Sequence, residues 1–421
     1  MKQSMFYRTL MLVSALSLIL INVSNAEELS LSEAESIALD NDPLVKSYQS
    51  RTSALKAKAI ADDTLPDPKL KLGLMNFPTD TYRRDQEPMT QVQVGIQQMI
   101  PRGSSLEIKS RRTNFMADAE SAKADNQYRK VRQQVREVWL EALYWEQALR
   151  VVKQNRILFK RLVNTTRSQY ASGRHRQQDV VRAQLELGMV DDRLYKIQNM
   201  IDTSRAKLSR LLGEDISKKE IAVDFPVFPE IVAKSILSQS IDEHPLLKMQ
   251  QAMLSASEQG VAMARQGYKP SWMVDLTYGA RDGNNPNGSP RADFASAMVM
   301  LDIPLFTGNR QDKYLAASQA ERQSAILVRE DKKRDLKQQL DDAYATWQRL
   351  EERLQHYHDY LVPKAKENAT ASLHAYQSDR GDFTALMRAQ ITELETLLSA
   401  IRIRVDYKKT QAKLLYLSGE K

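Results

Sequence analysis

The sequence predicts a mainly α chain with a small transmembrane β part, built as a two-fold internal repeat. Three observations predict it. LSEAESIALDNDPLVK (31–46) returns as AKSILSQSIDEHPLLK (233–248), with Pro43 facing Pro245. Between these marks lie long runs poor in glycine and proline, only 14 of each in 421 residues, and few turns mean long elements. Four short segments, two per repeat, instead alternate apolar and polar residues, the period of a half-buried strand.

The elements follow in order. Lys2 and Arg8 precede the apolar MLVSALSLILINV (11–23), and Ser24-Asn25-Ala26 supplies a small-x-small cleavage site, so residues 1–26 read as a removed signal peptide. Its removal takes two positive charges from a formal net charge of +8. A mildly basic exported chain needs no nucleic acid partner. The first repeat spans 27–215, a Pro-containing linker ISKKEIAVDFPVFPE opens at 216 and runs to about 232, and the second repeat spans 233–421. Helices are expected over 31–64, 104–170, 177–212, 233–265, 308–375 and 382–418. The long ones would reach ~100 Å at ~1.5 Å per residue, and two short ones laid end to end would match one of them.

The long runs carry a seven-residue seam. Val131, Val135, Val138, Ala142, Trp145, Leu149 and Val152 share their spacing with Leu336, Leu340, Ala343, Trp347, Leu350, Leu354 and Tyr357. Such a stripe packs helices side by side as coiled coil. Each long run breaks at SQYASGRHRQQDVVRAQ (168–184) or HAYQSDRGDFTALMRAQ (374–390), two tips with a glycine and a cluster of charges. Gly213 and Gly419 stand where caps would end the returning helices.

The alternating segments are 69–77, 91–100, 272–280 and 295–303. Leu70, Leu72, Leu74, Val92, Val94, Ile96, Trp272, Val274, Leu276, Tyr278, Val299, Leu301 and Ile303 fall on one face. Polar residues fall on the other, together with Met75, Met99, Met273, Met298 and Met300. Segments of about nine to eleven residues that alternate in this way suit a membrane-crossing barrel. Four strands cannot close one, and an open edge in lipid leaves backbone groups unpaired at several kcal/mol each. Copies of the chain must share the barrel. Three copies would supply twelve strands, although the residues leave the number open.

The ordered set resembles the outer-membrane efflux protein family, the TolC-like channels. The resemblance rests on the paired repeat starts, Leu65-Pro66-Asp67-Pro68, Pro304-Leu305-Phe306-Thr307-Gly308-Asn309-Arg310 and the two tips, and covers 29–420. It implies a homotrimer with a 12-stranded β-barrel in the outer membrane and a coiled-coil α-helical barrel across the periplasm. Outer-membrane lipid, a periplasmic adaptor and an inner-membrane RND-type pump are the implied partners. By motif the family's gate falls on Tyr376 and Asp179. The best-known relative has an arginine where Gly381 stands, beside Arg380, and acidic ring positions that fall on Ala385 and Arg388. Asp379 and Asp382 are the candidate substitutes. Gly173, Arg174, Arg176 and Gly381 mark the tips where an adaptor would dock, although solvated tips would carry the same charges.

Gln86-Glu87-Pro88-Met89-Thr90, after Met75-Asn76-Phe77-Pro78, resembles the heavy-metal subgroup. The methionines on the polar face would suit Cu(I) or Ag(I), and they would equally serve as flexible fillers. A drug-efflux or type I secretion channel fits the same fold, and a periplasmic coiled-coil adaptor is the rival of another class. No enzyme is expected. The chain has no cysteine, no phosphate loop and no zinc motif, and its five histidines include no i,i+4 pair. No cofactor is expected either.

Overall fold

The computed structural model describes residues 28–174 and 176–419. The expected signal peptide, His175 and Glu420 lie outside the described residues. The elements run α1 (Leu31–Asn41), α2 (Pro43–Asp62), β1 (Lys69–Met75), β2 (Gln91–Ile100), α3 (Ser105–Ala171), α4 (Gln177–Leu212), α5 (Glu214–Ser217), α6 (Lys234–Ser240), α7 (Pro245–Gln266), β3 (Ser271–Ala280), β4 (Phe294–Asp302), α8 (Gln311–His356), α9 (Val362–Gln377) and α10 (Phe383–Ser418).

The repeat is legible in the helix lengths. Helix α3 has 67 residues, and α8, a π turn at Tyr357–Leu361 and α9 run without a break over the equivalent stretch 311–377. Helices α4 and α10 have 36 residues each. The π turn precedes Pro363, which lacks an N–H and whose ring crowds the carbonyl four residues back. Widening one turn removes that clash while the helix continues.

Two expected helices are split. The run 31–64 restarts at Pro43, and the run 233–265 passes through a 3₁₀ turn, Ile241–Glu243, and restarts at Pro245. A residue before proline is pushed to extended backbone, where it caps well. Asp42 Oδ1 accepts from the Val45 N–H at 2.8 Å, and His244 Nδ1 accepts from the Leu246 N–H at 3.2 Å.

The described chain forms two compact units, each drawn from both repeats. One comprises residues up to 41, 131–230 and 345–413. Its apolar core joins Ala148, Val152, Phe159, Ala183, Ile197, Tyr376, Phe383, Leu386 and Leu394. Helix α3 buries more here than its seam. Trp139, Leu140 and Leu143 are inaccessible, whereas Val138, Trp145 and Leu149 are only half-buried. The Trp139 indole N–H donates to the Leu29 carbonyl at 3.0 Å, which ties the start of the described chain to the helix. Charges flank the core: Arg136 meets Glu35 at 2.6 Å, and Glu141 takes both Arg402 and Lys409. The linker packs as well, with Leu29 bridging Ile221 and Arg136 lying over the Phe228 ring.

The other unit comprises 42–130, 231–344 and 414 onward. Leu336, Leu340 and Ala343 of the second seam are buried in it. Its antiparallel sheet has the order β1-β2-β3-β4. In the register, Leu70 faces Ile96, Ile96 faces Leu276 and Leu276 faces Ala297, so one face is apolar apart from Gln98, which faces Val274. That face is bare: Leu70 and Leu72 are each 71% exposed. Strands β1 and β4 each have one edge without a partner within the described residues. The loops between paired strands lock together, with Arg291 donating to the carbonyls of Asp85, Glu87 and Asp282 at 3.1 Å each. Among the described residues no helix is long and apolar enough to cross a membrane.

Candidate functional site

The first candidate site lies where α3 turns into α4 and α9 turns into α10. Both turns share one geometry. The Gly173 N–H bonds the Tyr170 carbonyl and the Arg174 N–H bonds that of Gln169; the Asp379 N–H bonds Tyr376 and the Arg380 N–H bonds Ala375. This is the paired closure of a Schellman motif, which needs a left-handed residue after the helix. Gly173 (φ 72°) fills that place in one tip and Asp379 (φ 59°) in the other. The two tip glycines are therefore not equivalent. At Gly381 a Cβ would stand 2.9 Å from the Ala375 Cβ and 3.0 Å from backbone, so this glycine answers to crowding. An arginine there requires a different turn.

The next helices start differently. Asp382 Oδ2 accepts from the Ala385 N–H at 3.3 Å, a side-chain cap. Arg176, at the equivalent place before α4, makes no side-chain cap.

Tyr376 joins the two tips. Its ring is 1% exposed and packs 5.5 Å from the Phe383 ring. Its hydroxyl donates to Gln169 Oε1 at 2.7 Å. Burial, and then the charges of Asp179 and Asp379, push the phenol up to about 12, so it remains a donor at neutral pH. The structure thus brings Asp179 and Tyr376 to one locus. Arg182 Nη1 donates to Thr384 Oγ1 at 2.9 Å. A polar cleft between the tips is lined by Arg174, Arg176, Asp179, Arg182, Gly381 and Asp382. Arg380 is exposed, and Arg388 is exposed on α10. Gln169, Phe383 and Thr384 were not singled out from sequence. The residue 206 positions before Tyr376 is Tyr170, so the repeat pairs the two tyrosines and leaves no pattern that points to Gln169.

The second candidate site is the polar face of the sheet. All five methionines lie on it, but not together. Met99 faces Met273, and Met273 faces Met300, a row across three strands at the end nearest the helices. Met298 faces Asp275 one step away, and Met75 faces Gln91 at the opposite end. Lys71 meets Asp275 at 3.3 Å, and Arg102 pairs with Asp302. Among the described residues no cluster of histidine, aspartate and glutamate could hold a metal ion.

The chain thus carries an open sheet with a bare apolar face together with two helical hairpins in a duplicated sequence. The outer membrane efflux protein family model matches residues 35–214 and 236–420, and the chain belongs to that family. Its place is the outer membrane, and the adaptor alternative is set aside. Among solved structures it is similar to the outer-membrane channel OprN (14% identity, TM-score 0.78, covering 93% of this chain and 90% of that one). It is likewise similar to CusC, described for its transmembrane channel formation (13%, TM-score 0.78, 94% and 93%), and to the outer membrane protein VceC of Vibrio cholerae (14%, TM-score 0.77, 92% and 96%). At these identities the likeness is one of fold. No curated protein sequence matches.

Proposed function

We propose that the chain is the outer-membrane channel subunit of a tripartite, RND-type efflux system. It is a passive conduit with no catalytic step. One observation carries the reading: a four-stranded sheet with an exposed apolar face and two unpaired edges. Lipid accepts the face but not the edges, at several kcal/mol for each unsatisfied group. Pairing β4 of one protomer with β1 of the next removes the edges, and three protomers close a 12-stranded barrel. The helices continue it as a periplasmic tunnel. An adaptor docks at Gly173, Arg174, Arg176 and Gly381, and the inner-membrane pump supplies the energy. Heavy-metal cations are the proposed cargo, supported by the methionines on the polar face.

The test is reconstitution. The processed protein should cross-link as a trimer in detergent and produce discrete conductance steps in planar bilayers. A monomer that dissolves without detergent and never conducts defeats the proposal.

The gate is proposed to be Tyr376, Asp179 and their neighbours Asp379, Arg380 and Asp382. The Tyr376 hydroxyl's bond to Gln169 holds the two tips together, and such a hydrogen bond contributes about 0.5–1.5 kcal/mol. Asp179→Ala with Tyr376→Phe should therefore raise the resting open probability. An unchanged closed level in the double variant removes these residues from the gate.

A further inference from the structure

We propose that Met99, Met273 and Met300 form a thioether site for a soft monovalent cation, Cu(I) or Ag(I), on the polar face of the sheet. The inference rests on reading that face as the channel wall.

The register carries it. Met273 on β3 is directly opposed by Met99 on β2 and by Met300 on β4. Directly opposed side chains have Cβ atoms about 4.5–5.5 Å apart. Methionine sulfur sits two bonds beyond Cβ on a flexible stem, so thioethers from neighbouring strands can converge on one ion above Met273. Gln97 donates to Met273 Sδ, which presents that sulfur on the polar face. Met99 and Met300 are about half exposed, so they fill no core. The gap-filling role of methionine does not explain them.

The neighbouring groups select the kind of ion. On the loop side of the row stands Asp275, bound to Lys71 and Thr277. On the helix side stands Asp302, paired with Arg102. Both carboxylates that could attract a hard cation are already matched by positive charge. The donors left are neutral, polarizable sulfurs, which suit Cu(I) and Ag(I) rather than magnesium or calcium. The row sits where the sheet meets the helices, so cargo would encounter it on passing from tunnel to barrel. Met298, on the same face one step toward the loops, is placed to receive the ion next. A neutral site of this kind releases its ion readily, as a conduit requires.

The experiment uses the full processed chain in detergent with ¹³C-methyl methionine, titrated with silver nitrate, because Ag(I) does not change redox state. The methyl resonances of Met99, Met273 and Met300 should move together and saturate. Met273→Leu, which conserves volume, should abolish the shared shift. Met99→Leu or Met300→Leu should weaken binding by roughly tenfold or more. Met75→Leu, at the far end of the same face, should leave it unchanged. Equal shifts at every exposed methionine, or saturable binding that survives Met273→Leu, overturn the proposal. Conductance in metal-free buffer judges the channel reading separately: a conducting protein that shows no shared shift sinks only the thioether site.

Discussion

His244 makes the start of α7 sensitive to acid. Its ring is inaccessible to solvent, stacks edge-on against Tyr416, and caps the helix by accepting the Leu246 N–H. A protonated ring cannot accept there. Burial, and then the charge of Arg129, lower its pKa to about 4, against a weak opposing contact with the Tyr416 backbone. An opened chain returns the imidazole to about 6.5. The open state therefore binds more protons between these values, and stability falls as pH falls from ~6.5 toward ~4. Between pH 7 and pH 5 the linkage relation makes opening about 20-fold easier, close to 2 kcal/mol. Hydrogen exchange at the Leu246–Met249 amides, corrected for the intrinsic pH dependence, reads this directly. His244→Asn keeps a capping oxygen and removes the titration, so its protection should be flat over the same interval. Equal pH dependence in wild type and His244→Asn would refute the reasoning.

Two further predictions use the repeat as its own control. Asp379→Gly should stabilise the second tip by roughly 0.5–1 kcal/mol, since glycine enters the left-handed region without the Cβ cost. Arg176→Asp, which copies Asp382 into the first tip, should add about 1 kcal/mol through a new cap; urea unfolding of the two variants, in which either is neutral or destabilising, would show the tips are not built alike. In the sheet, a Cβ at Gly95 would stand 2.6 Å from Thr277 Oγ1 and 2.9 Å from the Leu276 carbonyl. Gly95→Val should therefore break the β2–β3 pairing and abolish trimers seen by cross-linking, and normal trimers in that variant would contradict the register.

The periodic features were legible in the residues because they are local. Alternation placed all five methionines on one face, and glycines marked the first tip at Gly173 and the caps at Gly213 and Gly419, each at positive φ, whereas in the second tip Asp379 takes that backbone place. The seam was read only in part. A seven-residue stripe describes one neighbour, whereas α3 in its core is covered on more sides, which buries Trp139 and Leu143. The proline breaks at 43 and 245 were visible as a matched pair but not as interruptions. Whether a helix runs past a proline depends on what caps the restart, and that is a matter of Asp42 and His244 side-chain geometry.

Pattern alone therefore established the duplication, the four strands and their greasy face, since each depends on the spacing of residues along the chain. Folding in three dimensions decided which residues meet across it. The chain order holds no distance between Gln169 and Tyr376, or between Met99, Met273 and Met300. Those pairings arise from the turn that brings two helix ends together and from a strand register set by hydrogen bonds between segments far apart in sequence.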